Sequence, residues 1–203
     1  EFNPFHNGHK YLIQKAKSLV NEPVAVVMST SFTQRGEIAI TDKLTRATSA
    51  LLGGADIVIE LPVAYAVSNA EVFAKSGVKI LSSFSRLTHL AFGCENSDIE
   101  LLKQTADAHK NTAVQSLVAK EMQNGSYYPK AIESAVRAIY GDKTAEILAT
   151  PNNVLAVEYL KALPSNISPL PIRREGVEHD SENTENGFAS ASYIREQLKQ
   201  GKN

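Results

Sequence analysis

The sequence predicts an α/β fold, a doubly wound parallel sheet with additional helices in the second half. Three observations carry this expectation. Apolar, largely β-branched runs alternate with segments of helical periodicity at least three times before residue 100. Those runs are continuously apolar, as strands covered on both faces are. The polar and glycine residues gather directly after them, at the carboxyl ends of the strands, where open α/β sheets bind ligands.

In chain order, Gly8 to Val20 places Tyr11, Leu12, Lys15, Ala16 and Leu19 at helical spacing. Val24 to Met28 reads as a buried strand. Thr41-Asp42 caps a helix carrying Leu44, Ala47, Leu51 and Leu52, with Gly53-Gly54 as its stop. Ile57 to Leu61 is the next strand, halted by Pro62. A helix from Ala70 to about Ser83 and a strand from Leu87 to Phe92 follow. Helical signal then dominates at about 99–109, 112–124, 129–140 and 152–163. Pro169 to Arg174 reads as a late edge strand, and 176–187, with His179, Asp180, Glu182, Asn183 and Glu185, as a mobile polar loop. Ser190 or Ser192 caps a last helix.

The 203 residues suit one domain, 1–203, with a large core. A net charge of −1 carries no global basic excess, so any RNA contact is local. The single cysteine, Cys94, excludes an intrachain disulfide framework and supplies no metal-ligand pattern; a buried filler is its expected role. No apolar run is long enough to span a bilayer and no signal peptide is visible, which makes a reducing cytoplasm the expected location. The first residues, without Met, fall inside a functional turn, so at least one strand is expected upstream and a further domain downstream.

The strongest functional signal is Glu1-Phe2-Asn3-Pro4-Phe5-His6-Asn7-Gly8-His9. A helix start offers unpaired N–H groups and a positive dipole end to an anion. Gly8 removes a side chain where a phosphate comes close, and His6 and His9 donate hydrogen bonds and add charge when protonated. The plain alternative is a pair of surface histidines in a turn. A second segment, Ser29 to Glu37, places Ser29, Gln34, Arg35 and Glu37 after a buried strand. There Arg35 either clamps an anion or pairs with Glu37. In the third, Gly93 lets backbone approach a flat ligand, while Glu95 and Asn96 accept from ribose hydroxyls or cap a helix near Ser97. Lys130 beside the Ser126-Tyr127-Tyr128-Pro129 turn is a fourth. Pro151-Asn152-Asn153 is a fifth, with one asparagine an N-cap. Ile172-Arg173-Arg174, with Ser190, Ser192 and Arg195 well beyond them, form a sixth, either an ordinary capped helix with a surface arginine or a site for the terminal phosphates of a nucleotide.

These segments, with Gln34-Arg35-Gly36-Glu37, Ile59-Glu60-Leu61-Pro62 and Ser190-Ala191-Ser192-Tyr193-Ile194-Arg195, occur in one order over nearly the whole chain. Together they resemble the bacterial tRNA(Met) cytidine acetate ligase family, whose catalytic domain has the Rossmann-like HxGH nucleotidyltransferase fold. The resemblance implies that acetate and ATP give acetyl-AMP, from which the acetyl group passes to N4 of the wobble cytidine of elongator tRNA(Met). It places ATP on Glu1 through His9, on Lys10, Tyr11 and Leu12, on Gly93, on Asn152 or Asn153, and on Arg174 or its neighbour Arg173. His6, His9 and Arg195 then stabilise charge on the phosphates, and Mg²⁺ is held through those phosphates. The chain departs from the family pattern at Thr30-Ser31, Ile38, Cys94 and Ala191, and the family's C-terminal helical region for tRNA lies beyond these residues. Two rival readings are adenylyl transfer to a phosphorylated metabolite and a nucleotide- or RNA-binding module without turnover.

Overall fold

The computed structural model describes residues 1–174 and 189–201; the predicted mobile loop lies outside them. The order is α1 (Asn7–Val20), β1 (Ala25–Ser29), α2 (Lys43–Leu52), β2 (Ile57–Leu61), α3 (Val63–Ala66), α4 (Ala70–Leu81) and β3 (His89–Cys94). There follow α5 (Ile99–Ala108), α6 (Thr112–Gln123), α7 (Tyr128–Tyr140), α8 (Asp142–Glu146), a 3-10 turn (Ile147–Ala149), α9 (Pro151–Ala162), β4 (Ser168–Arg173) and α10 (Ala191–Lys199).

All strand pairing among the described residues is parallel in the named strands. It forms two pairs, β1 with β2 (Val26 opposite Val58) and β3 with β4 (Ala91 opposite Leu170), instead of one continuous ladder. The late strand is therefore the parallel neighbour of β3, although five α-helices, α5 to α9, and the 3-10 turn separate the two strands in sequence.

The pleat explains the continuous apolar runs. Successive side chains of β1 go to opposite layers: Ala25 and Val27 pack on the core of Val78, Leu81, Leu102 and Val157, while Val26 and Met28 join Phe2, Ile13 and Ala50. In β2, Ile59 and Val58 divide the same way. One layer is thus α4, α5 and α9, and the other is α1 and α2, which is the double winding the sequence predicts. A third cluster, Val114, Val118, Ala131, Ile132, Val136 and Ala145, holds α6, α7 and α8 together as a helical lobe.

Caps account for most helix starts. The Asp42 carboxylate accepts from Leu44 N and Thr45 N, and Asp98 accepts from Glu100 N and Leu101 N, one residue later than the expected start near Ser97. Pro62 does more than halt β2, since it begins the short α3. Neither α3 nor α8 is visible as a periodic pattern, because four and five residues hold little more than one turn.

Candidate nucleotide site

The site is built from the first turn outward. His6 is the N-cap of α1 in extended backbone. Its Nδ1 accepts the Gly8 N–H (3.1 Å), and the His6 N–H donates to His9 Nδ1 (3.3 Å), a reciprocal capping box made from two imidazoles. The rings stack with centroids 3.8 Å apart. An imidazole nitrogen that accepts a hydrogen bond carries no proton, so both rings are neutral with the proton on Nε2. Burial, and after it the Arg174 charge, pushes His6 down to about 4. Burial, then His6, holds His9 well below its usual value.

The reciprocal cap has two consequences. The histidines do not contribute positive charge in the unliganded chain; they contribute paired Nε2–H donors. The first turn does not offer all its N–H groups either, because Gly8's is spent on His6. Gly8 is needed first for the ring beside it: a Cβ there would lie 2.9 Å from His6 Cε1.

The loop ahead of α1 is fixed from several sides. Phe2 is 6% exposed and sits at φ 52, a costly left-handed conformation for a bulky residue, against Phe5 and His9. The Asn3–Pro4 peptide is cis. Asn3 Oδ1 accepts from Ile40 N (2.8 Å), and Glu1 Oε1 accepts from Gln34 N (2.5 Å). Arg46, 1% exposed, donates to the Glu1 carbonyl (2.8 Å), and Arg195 donates to the Asn3 carbonyl (2.9 Å). Phe5 lies against the end of α2, where a Cβ on Gly53 would overlap its ring at Cζ and Cε1.

A cleft opens over this turn. Among the predicted residues it brings together His6, Gly8, His9, Tyr11, Leu12, Gly93, Arg173 and Arg174, and it adds Ile172 and Ala189. A Cβ at Gly93 would stand 3.6 Å from Arg174 Cγ and 3.9 Å from Leu12 Cδ2, so the missing side chain leaves cleft space. Asn152 reaches the edge through Arg174, whose Nη1 lies 3.4 Å from Asn152 Oδ1.

Other predicted residues lie elsewhere. Asn153 is 3% exposed and faces away, its Oδ1 accepting from the Glu95 and Asn96 N–H groups. It is no N-cap, a place Thr150 takes. Glu95 and Asn96 are likewise turned to local bonds instead of a ribose. Glu1, Phe2, Asn3, Pro4 and Phe5 support the cleft without lining it, and Asn7 and Lys10 are exposed on α1. Arg195 ties α10 to the loop, while the Ser190 Oγ caps α10 through Tyr193 N and lies 3.1 Å from Ser192 Oγ. Ser29 is buried at the end of β1; Gln34, Arg35 and Glu37 belong to a turn closed by the Phe32–Ile38 bridge, bonded to Glu1 through the Gln34 N–H but outside the cleft lining. Tyr127, Tyr128 and Lys130 begin α7 in the helical lobe. Cys94 is fully buried, its Sγ directed at the Ile172 carbonyl, and burial raises its thiol to about 11, in keeping with a filler.

Sequence reasoning missed Arg46, Gly53 and Ala189 as determinants of the site, and it named Ile172 only as part of the sixth segment. The three missed residues carried no local signal of a site.

The model of the HIGH Nucleotidyl Transferase family matches residues 1–203. Two curated relatives, each called a tRNA(Met) cytidine acetate ligase, come from Acetivibrio thermocellus (39% identical over 206 residues, 98% of this chain and 50% of the relative) and Caldanaerobacter subterraneus (42% over 207 residues, 98% and 52%). Among solved structures, apo Thermotoga maritima TmcAL superposes with a TM-score of 0.90 at 35% identity, over 99% of this chain and 50% of its own. The same protein bound with alpha-thio ATP gives 0.88 at 34%, over 99% and 49%. The chain thus spans about half the length of the relatives it matches. From its first-turn histidines to its last described helix, it belongs to the HIGH nucleotidyl transferase family.

Proposed function

We propose that this chain is the catalytic region of an ATP-dependent tRNA(Met) cytidine acetate ligase. The observation that carries the reading is the cleft in which two neutral imidazoles, Gly93 and Arg174 face one another. The names of the relatives and the alpha-thio ATP complex of T. maritima TmcAL support it.

In this reading ATP lies over the first turn of α1, its adenosine against Gly93 and Leu12 and its phosphates toward His6, His9 and Arg174. An acetate oxygen attacks the α-phosphorus, the bond to the bridging oxygen breaks, and pyrophosphate leaves. The Nε2–H donors and the α1 dipole meet the charge that moves onto the phosphates, without any covalent bond to the protein. The N4 amine of the wobble cytidine of elongator tRNA(Met) then attacks the acetyl carbonyl, loses a proton and expels AMP. Arg195 acts indirectly, by holding the Asn3 carbonyl and with it the histidine loop. In this reading Mg²⁺ would be held through the triphosphate oxygens. It would supply positive charge against the departing pyrophosphate. No described helix is long and apolar enough to cross a membrane, and an activity on tRNA belongs in the cytoplasm.

The test is exchange of labelled pyrophosphate into ATP. The expected result is exchange that depends on acetate. Exchange no faster than the acetate-free blank, with nucleotide bound, contradicts the proposal.

A further inference from the structure

The carboxyl end of β3 carries a carboxylate that the cleft walls do not include. Glu95 is half-buried and turned toward the first turn of α9. Its Oε2 accepts from Thr150 Oγ1 (3.0 Å) and from Asn153 N (3.0 Å), and its Oε1 accepts from Asn152 Nδ2 (2.6 Å). In return, Asn153 Oδ1 accepts the N–H groups of Glu95 (3.0 Å) and Asn96 (3.1 Å). Strand end and helix start are buckled together in both directions.

This buckle fixes which way the Asn152 amide faces. A carboxylate only accepts, so the NH₂ group must point to Glu95. The amide oxygen then points the other way, to Arg174 Nη1 at 3.4 Å. Arg174 is an exposed side chain on a flexible stem, yet it lines the cleft and its charge acts on His6 and His9. Without a tether it would sample many rotamers, each lost again when a phosphate binds.

We propose that Glu95 is a positioning residue for the nucleotide: by holding the Asn152 amide with its carbonyl turned to Arg174, it sets the arginine side of the cleft before ATP arrives. The proposal rests on the nucleotide reading of the cleft. It differs from a plain capping role, in which Glu95 only steadies the start of α9.

Glu95→Gln separates the two. The glutamine keeps one acceptor for Thr150 and Asn153, but opposes its NH₂ to that of Asn152. Adding Asn152→Asp restores a donor–acceptor pair with the same total charge. Binding of a non-hydrolysable ATP analogue is measured by calorimetry, with steady-state exchange kinetics beside it. The single variant is expected to bind about 10-fold more weakly and to raise KM for ATP, with kcat changed less than about threefold. The double variant is expected to return to within about threefold of wild type. Single-variant binding within about twofold of wild type, or a double variant no better than the single, overturns the proposal. Should Glu95→Gln fail to fold, Asn152→Ala carries the test: weakened binding by a similar factor is expected, and unchanged binding overturns it. If the wild-type chain itself does not bind the analogue, the nucleotide reading falls and this proposal with it. If wild type binds and the variants are silent, only the positioning role falls.

Discussion

Two loops occupy equivalent places in the topology, both at the carboxyl edge of the parallel strands, and they have come to different ends. The 1–9 loop is anchored by buried Phe2 and Asn3, strained at Phe2 and tied by Arg46, Arg195 and two backbone N–H groups to other segments, and its imidazoles are pressed together over a cleft. The 29–37 loop has a richer set of polar side chains, yet Arg35, Gly36 and Glu37 form an exposed turn. The difference teaches that position at a strand end is permissive. What makes a site is tertiary fixation, which strips water from titratable groups and holds them in one geometry.

That contrast can be broken in order of expected effect. His9→Ala should lower acetate-dependent exchange by roughly 100-fold or more, while unfolding free energy falls by only about 1 kcal/mol for the lost cap and stacking. A loss of stability that accounts for the whole loss of activity would make His9 structural.

The protonation of the fixed loop gives the next effect. His6 titrates near 4 when folded against about 6.5 when unfolded. Between those values the unfolded chain binds more protons, so stability falls as pH drops from about 6.5 toward 4, by on the order of 1–3 kcal/mol. His6→Asn keeps an oxygen for the Gly8 N–H and does not titrate, so urea melts across this window should show a shallower slope. An unchanged slope would mean that His6 is not held neutral by the fold.

Gly93→Ala places a methyl group between Leu12 and Arg174 and is expected to weaken ATP binding by about 10-fold, with stability little changed. Wild-type affinity in calorimetry would show that the nucleotide does not use that wall. Smallest of all, Arg35→Ala and Glu37→Ala should leave ATP affinity within about twofold, because neither touches the cleft. A larger loss would move the anion site to the other loop.

Much of this was legible in the sequence, for local reasons. Val26 and Met28 against Ala25 and Val27 are all apolar because both faces are covered, and a continuous run reports that directly. Asp42 and Ser190 announce helix starts because a cap needs only its own next turn. The cleft's own His6, His9, Gly93 and Arg174 were found because strand ends and helix starts are where chemistry collects. What stayed hidden depends on distant partners. Arg46 reads as a surface residue on an amphipathic helix, and only the Glu1 carbonyl, 45 positions away, makes it a buried tie. Gly53 reads as a helix stop, although Phe5 is what requires the space. Asn152 and Asn153 are indistinguishable in sequence, and the bonds of the β3 end turn one toward Arg174 and the other to the Glu95 and Asn96 backbone. The histidines' neutral state follows from which nitrogen accepts the backbone N–H, a fact no motif contains.

The central claim is that neutral first-turn imidazoles receive a nucleotide's phosphates. A crystal structure of the chain with a non-hydrolysable ATP analogue tests it most directly. The account predicts phosphate oxygens within hydrogen-bond distance of Nε2 of both His6 and His9, with the Arg174 guanidinium beside them. A nucleotide seated on the 29–37 turn, or phosphates turned away from both imidazoles, would contradict it.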